Sequence, residues 1–296
     1  MRIKDTYISP FTDFGFKKLF GTEVNKDLLI DFLNELLSKS GETVVDLTYL
    51  STEQLGRGSE ERKAIYDIYC KNEKGEYFIV EMQKAKQKYF KDRSIYYSSF
   101  PIQSQAEKGD WNFELKAIYT VGILDFVFKH DEKDDDAYYH KVKLMNTKTS
   151  EVFYDKLTYV YLELPKFNKV EEELETHFEK WLFILKNLGD LTSRPQKLQE
   201  RIFKKVFEQA EIANYSDNEY AEYEESLKTY RDLKNSIDSS FEEGKIEGII
   251  EGKAEGIIEG EIKGKIETAT AMKKKGYAVS DIAEITGISA EEIEKL

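Results

Sequence analysis

The stretch "RKAIYDIYCKNEKGEYFIVEMQ", residues Arg62 to Gln83, decides how the chain is read. Two runs rich in β-branched and aromatic residues, 62–70 and 76–83, flank "KNEKG", and this pattern predicts a β-hairpin. Alternate residues of a strand face opposite sides. Phe78, Val80 and Met82 therefore share an apolar face, and Ile79, Glu81 and Gln83 share the other. In the partner run, Ile65, Asp67 and Tyr69 fall on one side, and Ala64, Tyr66, Ile68 and Cys70 on its opposite. A slip of one residue would turn one strand's core set outward, so the apolar faces must coincide. With the turn centred on Lys74, Asp67 stands directly opposite Glu81, and a shift of two leaves them diagonal neighbours.

Facing carboxylates repel one another. A shared proton, a nearby Lys or Arg, or a bound divalent cation would each offset that. Mg²⁺ takes one or two carboxylates together with waters and phosphate oxygens. Gln83 follows on the same face as Glu81 and offers an amide to orient a water. Lys84, Lys86, Lys88 and Arg93 come next and are candidates to hold phosphates. The plainer alternative is a solvent-exposed polar strand face with each carboxylate paired to a lysine.

Outward from the hairpin, "NKDLLIDFLNELLSKSGE" (25–42) has helical spacing, with Asn25 as N-cap and Gly41 as stop. Residues 43–51 read as a strand, and 86–108 as a helix broken or kinked at Pro101. Residues 114–128 read as a buried strand, and 157–164 as a strand ended by Pro165. From about 169 the pattern is helical, with Trp181, Leu182, Leu185 and Leu188 in a stripe. Helix, three strands, helix and strand in this order predict an α/β domain.

Composition narrows the function. The chain has 296 residues, is 40% hydrophobic and 13% aromatic, and is therefore expected to fold. Its net charge of -13 argues against coating nucleic acid by bulk attraction, but leaves room for a local basic groove. Cys70 is the single cysteine, which excludes an intramolecular disulfide and points to the cytoplasm. No run of roughly 18 apolar residues predicts a membrane span, and the first residues do not read as a signal peptide. His130, His140 and His177 are dispersed without metal-ligand spacing.

"FTDFGFKKLFG" (11–21), "RKAIYDIYC", "GEYFIVEMQ", "KDRSIYYSSFPIQSQAEKGDWNFELKAIYTVGILDF" (91–126) and a terminal E-G repeat occur in that order. The combination resembles the PD-(D/E)XK nuclease family transposases of bacteria, also called recombination-promoting nucleases, over roughly residues 8–235. The resemblance implies a restriction-endonuclease-like core, a mixed β-sheet flanked by helices, followed by a C-terminal helical region. It implies Mg²⁺-dependent DNA cleavage, with Mn²⁺ as a substitute ion and DNA as partner. By position, Asp67 and Glu81 become the metal-binding carboxylates, and Gln83 fills the place of the motif lysine. Glutamine can hydrogen-bond but brings no charge. Tyr66 stands where the motif's name implies proline. The expected divisions are a nuclease-like core at 1–165, a helical extension packed on it at 166–237, a glycine-repeat stalk or linker at 238–268, and a helix-turn-helix-like unit at 269–296. A catalytically weak DNA- or protein-binding module of the same fold is the alternative.

Other candidates are secondary. Asp13, Glu60 and Glu61 are possible sources of a further carboxylate. Lys17 and Lys18 either touch DNA or reach to solvent. Arg93, Gln103 and Gln105 lie on or near the helix after the motif, facing the site or solvent. Tyr96, Tyr97 and Phe100 either stack on bases or pack helix against sheet. In the tail, glycines at 244, 248, 252, 256, 260 and 264 repeat every fourth residue, with isoleucines between them. Small residues at this period favour right-handed winding about a partner, so homo-oligomerisation through this region is expected, with a flexible linker as the alternative. Beyond it, Ser280, Gly287 and Ser289 mark a helix-turn-helix. Its second helix carries Glu291, Glu292 and Glu294, which favours packing or oligomerisation over DNA reading.

Overall fold

The computed structural model describes residues 5–38, 41, 43–54, 64–86, 88–106, 109–128 and 136–296. Glu60, Glu61, Arg62, Lys63, Gln87 and His130 lie outside the described residues. The chain forms two compact units, Met1–Lys234 and Asn235–Leu296.

The first unit is built on a six-stranded sheet in the order β1-β4-β5-β6-β8-β7. Its strands are β1 (Leu47–Tyr49), β4 (Ile68–Asn72), β5 (Tyr77–Gln83), β6 (Ile118–Leu124), β7 (Tyr139–Met145) and β8 (Val152–Glu163). A separate pair, β2 (Glu53–Gln54) and β3 (Ala64–Ile65), forms a small antiparallel ladder. β5 runs parallel to β6, and β6 to β8, while the outer pairings are antiparallel. The sheet is therefore mixed, as expected. The helices are α1 (Asp13–Phe20), α2 (Lys26–Leu37), α3 (Phe90–Ser104), α4 (His177–Asn187), α5 (Arg201–Ala210) and the start of α6 (Asp217–Lys274).

Alternation along β5 divides the core into two. Phe78, Val80 and Met82 join Val121, Ile123, Val160 and Leu162 in a large cluster with α1, α2, α4 and α5. Trp181 is fully buried there, with Phe20, Phe32 and Phe203 around its ring at 5.3–5.8 Å. α3 covers the other face: the Ser94 and Ser98 hydroxyls each lie 2.7 Å from a tyrosine hydroxyl of β8, Tyr161 and Tyr159. α3 comes close because β6 carries Gly122. A Cβ there would meet the Tyr161 ring at 3.0 Å and the Phe90 ring at 3.3 Å.

Several local expectations change. Asn25 makes no capping bond; it is buried and its amide donates to the Lys18 carbonyl at 2.8 Å. The strand expected over 43–51 is trimmed to β1, and that over 114–128 to β6. β8 begins at Val152, well before the expected 157, because β7 pairs along it.

The largest change is in the run 62–70. It is not one strand: β3 and β4 are separated at Tyr66 and Asp67. The break shifts the alternation by one, so Ala64 and Tyr66 bury beside Tyr69 and Ile79, not with Ile68 and Cys70. Tertiary hydrogen bonds hold the break open. The Tyr66 N–H donates to the Thr52 carbonyl at 3.0 Å.

Pro101 explains the Tyr66 hydroxyl. α3 runs past Pro101 to Ser104 rather than breaking there. Proline has no N–H, so the Tyr97 carbonyl one turn earlier loses its helical donor. The Tyr66 hydroxyl donates to that carbonyl at 3.0 Å. Tyr66→Phe should leave the Tyr97 carbonyl unsatisfied and cost about 1–2 kcal/mol. Urea unfolding reads this directly, and a loss below about 0.3 kcal/mol would contradict it.

On the opposite face, the His177 ring lies 2.7 Å from Asp31, which also accepts from the Trp181 indole at 2.6 Å. The hydrogen bond to Asp31 raises the His177 pKa above its ordinary 6.5, burial opposes it, and Glu35 and Glu200 add to the rise. The folded value lies above the unfolded one. The stabilisation is thus complete below about 6.5 and is lost as pH rises through the folded value. Both side chains are about a third exposed, so solvent screening keeps the effect to about 0.5 kcal/mol. The stability lost in His177→Gln should therefore be greater at pH 6 than at pH 8.5. An equal loss at both would remove the linkage.

The second unit ends in a small core. Ala269 on α6, Ile282 on α7 (Val279–Thr286) and Ile293 on α8 (Ala290–Lys295) are buried together. Gly287 closes α7 in the left-handed conformation, and Ser289 caps α8 with Glu292 in a reciprocal box. The cap of α7 is Ala278 rather than Ser280, whose hydroxyl bonds Asp281. The glycine repeat lies within α6, and nothing comes within 4 Å of a Cβ at Gly248, Gly252, Gly256 or Gly260. In the monomeric chain each Gly→Ala change there should raise helix stability by up to about 1 kcal/mol. Thermal melts followed at 222 nm on protein dilute enough to be monomeric check this, and a lowered midpoint there would refute it; a midpoint lowered only at high concentration would mark the glycines as packed in a self-associated form.

Candidate functional site

The sheet register places the two carboxylates of the hairpin together. Ile68 pairs with Val80, Tyr69 with Ile79 and Cys70 with Phe78, which sets Asp67 opposite Glu81 at the end of the ladder. Tyr66 has turned away to Thr52, so the Met82 N–H lacks a ladder partner on that side. Asp67 Oδ2 accepts it at 2.8 Å. The Asp67 N–H in turn donates to Glu81 Oε1 at 3.3 Å. The break in the strand thus aims Asp67 at β5.

Glu81 is buried. Its Oε2 accepts from the Arg93 guanidinium at 3.4 Å. Arg93 reaches it from the first turns of α3, with its guanidinium 4.8 Å from the Tyr97 ring centre. Burial, and then the charge of Asp67, push the Glu81 pKa up to about 8, while Arg93 pulls it back. The Asp67 pKa is raised as well, chiefly by burial and further by Asp13, against the Met82 N–H bond, Lys17 and Lys84. Two carboxylates that both resist ionisation side by side form a strained electrostatic arrangement of the kind found at functional sites.

Asp67 opens on a cavity of about 760 Å³ whose lining includes Asp13, Lys17, Lys18, Lys84, Glu222 and Glu225. Thr12 caps α1 by accepting from the Gly15 N–H at 2.9 Å, and this sets Asp13 in the first turn. Asp13 is the expected further carboxylate that the structure brings to Asp67. Burial lowers the Lys84 pKa, against the attraction of Asp13 and Asp67. Gln83 is buried at the end of β5, and its amide donates to the Ala85 carbonyl at 3.3 Å, which leaves its own carbonyl to accept.

The other residues go elsewhere. Lys86 and Lys88 are exposed, Lys88 lying over the Tyr89 ring at 5.3 Å. Lys17 pairs with Asp13 at 3.0 Å and Lys18 with Glu219 at 2.6 Å. Gln103 is exposed, and Gln105 ties down Lys116, accepting from its N–H at 2.6 Å. Tyr97 and Phe100 pack against the Tyr66 cluster, whereas Tyr96 is exposed. Arg93 faces the site, one of its two expected placements, and supplies the positive charge at Glu81. Tyr66 and the break in the strand were not anticipated. The first has a signal in Pro101, which creates a carbonyl in need of a donor.

Among the described residues no three His, Cys, Asp or Glu side chains group as metal ligands. A pair of carboxylates remains, and it fits a hard divalent cation that keeps waters and takes substrate oxygens. The arginine at Glu81 shows that the pair attracts positive charge.

Residues 10–240 match the family model described as PD-(D/E)XK nuclease family transposase. The chain belongs to this family. Nuclease or transposase-type function goes with the family, as do divalent metal ions in general and DNA as substrate. The PD-(D/E)XK core here is the mixed sheet with its flanking helices. Neither the curated proteins nor the solved structures contain a match. No described helix of this family member is long and apolar enough to cross a membrane.

Proposed function

We propose that the protein is a divalent-cation-dependent DNA endonuclease of the transposase type, acting in the cytoplasm. The observation that carries this is the buried Asp67–Glu81 pair, joined through the Asp67 N–H at 3.3 Å at the end of the central hairpin. Asp67 and Glu81 hold the ion, Mg²⁺ or Mn²⁺. When bound, it supplies a water of lowered pKa and positive charge against the charge developing on the phosphodiester. Gln83 offers its side-chain carbonyl, which would accept from an attacking water and fix its direction. Lys84, on the cavity that Asp67 shares, holds a phosphate oxygen. Lys86 and Lys88, both exposed, track the DNA backbone further out. Arg93 offsets the Glu81 charge, and with an ion in place its guanidinium would be available to a phosphate oxygen. Self-association through the glycine-repeat helix and its terminal helices makes the acting species an oligomer.

One observation favours a second reading. Arg93 already supplies a positive charge to Glu81, as a DNA- or protein-binding module without catalysis would require. Incubation with supercoiled, linear and single-stranded DNA separates the two. Nicking with Mg²⁺ or Mn²⁺ and none with EDTA is expected. DNA binding without nicking under any of these conditions would establish the second reading.

A further inference from the structure

The first unit has a second polar cavity, at the other end of the sheet. It encloses about 520 Å³ and is lined by Lys74, Lys116, Lys141, Lys143 and Lys156, with Glu76, Glu114 and Asp155. Its floor includes Ala117 and Tyr119, at the start of β6. The carboxylate pair lies at the far ends of β5 and β6, roughly 20 Å away at about 3.3 Å per residue.

Two of these lysines sit where the sheet's pattern calls for core residues. Lys141 pairs with Val160 and Lys143 with Thr158, and both partners are fully buried. Strand alternation thus points both to the side that buries Val121, Val160 and Leu162. Lys156 follows on β8, where the pairing with β7 shifts register, and joins them in the lining. Beyond the reach of the covering helices this face turns from apolar to lysine. A run of ammonium groups in core register is a departure from patterning of the kind expected at functional positions.

The lining carries a positive excess in a chain whose net charge is -13. Two of its acids are engaged at the rim: Glu114 pairs with Lys156 at 3.6 Å, and Glu76 accepts from the Asn72 amide at 2.6 Å. Lys156 also donates to the Leu115 carbonyl at 3.0 Å, which holds its ammonium over the floor. The volume is that of a small-ligand site rather than a groove for a duplex. Lysines grouped as point charges suit phosphoryl oxygens.

We propose that this cavity binds an oligophosphate, a chain of two or three phosphoryl groups, either free or carried by a nucleotide. Lys141, Lys143 and Lys156 hold the phosphates from the sheet, and Lys74 and Lys116 close over them from the flanking turns. The site is separate from the carboxylate pair and does not depend on nuclease activity.

Calorimetric titration of the full chain with sodium triphosphate and with ATP tests this, at low ionic strength and in EDTA so that no ion bridges phosphate to Asp67. Saturable binding is expected, weakened about tenfold or more in Lys141→Gln/Lys143→Gln. Lys74→Gln/Lys116→Gln lies outside the strands and should weaken it similarly, which covers the case in which the β7 variant unfolds. Lys204→Gln, an exposed position on α5, should leave it unchanged. ATP bound no more tightly than triphosphate identifies the phosphates as the recognised group; tighter ATP adds the nucleoside. No binding of either up to millimolar concentration would overturn the proposal, as would unchanged affinity in both double variants. Duplex DNA binding that is weakened in Lys141→Gln/Lys143→Gln, with no triphosphate bound by the wild type, would also overturn it and would make the face a backbone contact surface.

Discussion

Glu81→Gln is expected to lose metal-dependent DNA cleavage by a factor of about 10³ while making the protein more stable. The two effects share one cause. Glu81 is buried against Asp67, and desolvation and repulsion push its pKa up to about 8. Holding both carboxylates charged near neutral pH therefore costs folding free energy. An amide removes the charge yet keeps an oxygen for the Asp67 N–H, which now meets Glu81 Oε1 at 3.3 Å. Arg93 exchanges an ionic contact for a neutral one, and its 31% exposure lets water solvate the guanidinium. The net gain should be about 1–2 kcal/mol at pH 8, read by urea unfolding. Cleavage falls because a neutral amide cannot replace a charged ligand for a hard cation. A variant that is less stable than wild type, or that still cleaves at a comparable rate, would contradict this account of Glu81.

Arg93→Ala should act in the opposite direction. It takes away the guanidinium 3.4 Å from Glu81 Oε2 and leaves the buried carboxylate uncompensated. Removing one partner of a fully buried pair costs about 3–5 kcal/mol. Arg93 is 31% exposed, so about 2 kcal/mol is the expected loss. A divalent ion should restore most of it, because an ion that binds only the folded state at a hundred times its Kd adds about 2.7 kcal/mol. Thermal unfolding in EDTA and in excess Mg²⁺ makes the comparison. A loss of equal size in both would mean that Arg93 matters through its packing on Tyr97 rather than through its charge.

The hairpin register was legible because it follows from short-range facts. The apolar face of Phe78, Val80 and Met82 leaves only pairings shifted by two, and a turn centred on Lys74 selects the one with Ile68 opposite Val80, which the structure has. The break at Tyr66 was not legible, since it depends on Thr52 and on the Tyr97 carbonyl, both distant in sequence. Local propensity in "AIYDIYC" favours one continuous strand, and tertiary hydrogen bonds override it. The path of Arg93 was hidden for a similar reason. Its reach to Glu81 requires α3 to sit close on Gly122, and spacing along the chain carries no such information. β7 was missed because its core-register positions hold Lys141 and Lys143, which conceal the alternation of a half-buried strand. Asp13 came within view as a candidate, but its place beside Asp67 follows only from the packing of α1.

The claim that Asp67 and Glu81 form a cation site is tested most directly by titrating Mn²⁺ into the metal-free full chain and into Asp67→Asn, after both are shown to unfold cooperatively. Saturable binding by the wild type, lost or weakened at least about a hundredfold in Asp67→Asn, is the predicted result. Equal binding by the two proteins, or none by a well-folded wild type, would contradict it.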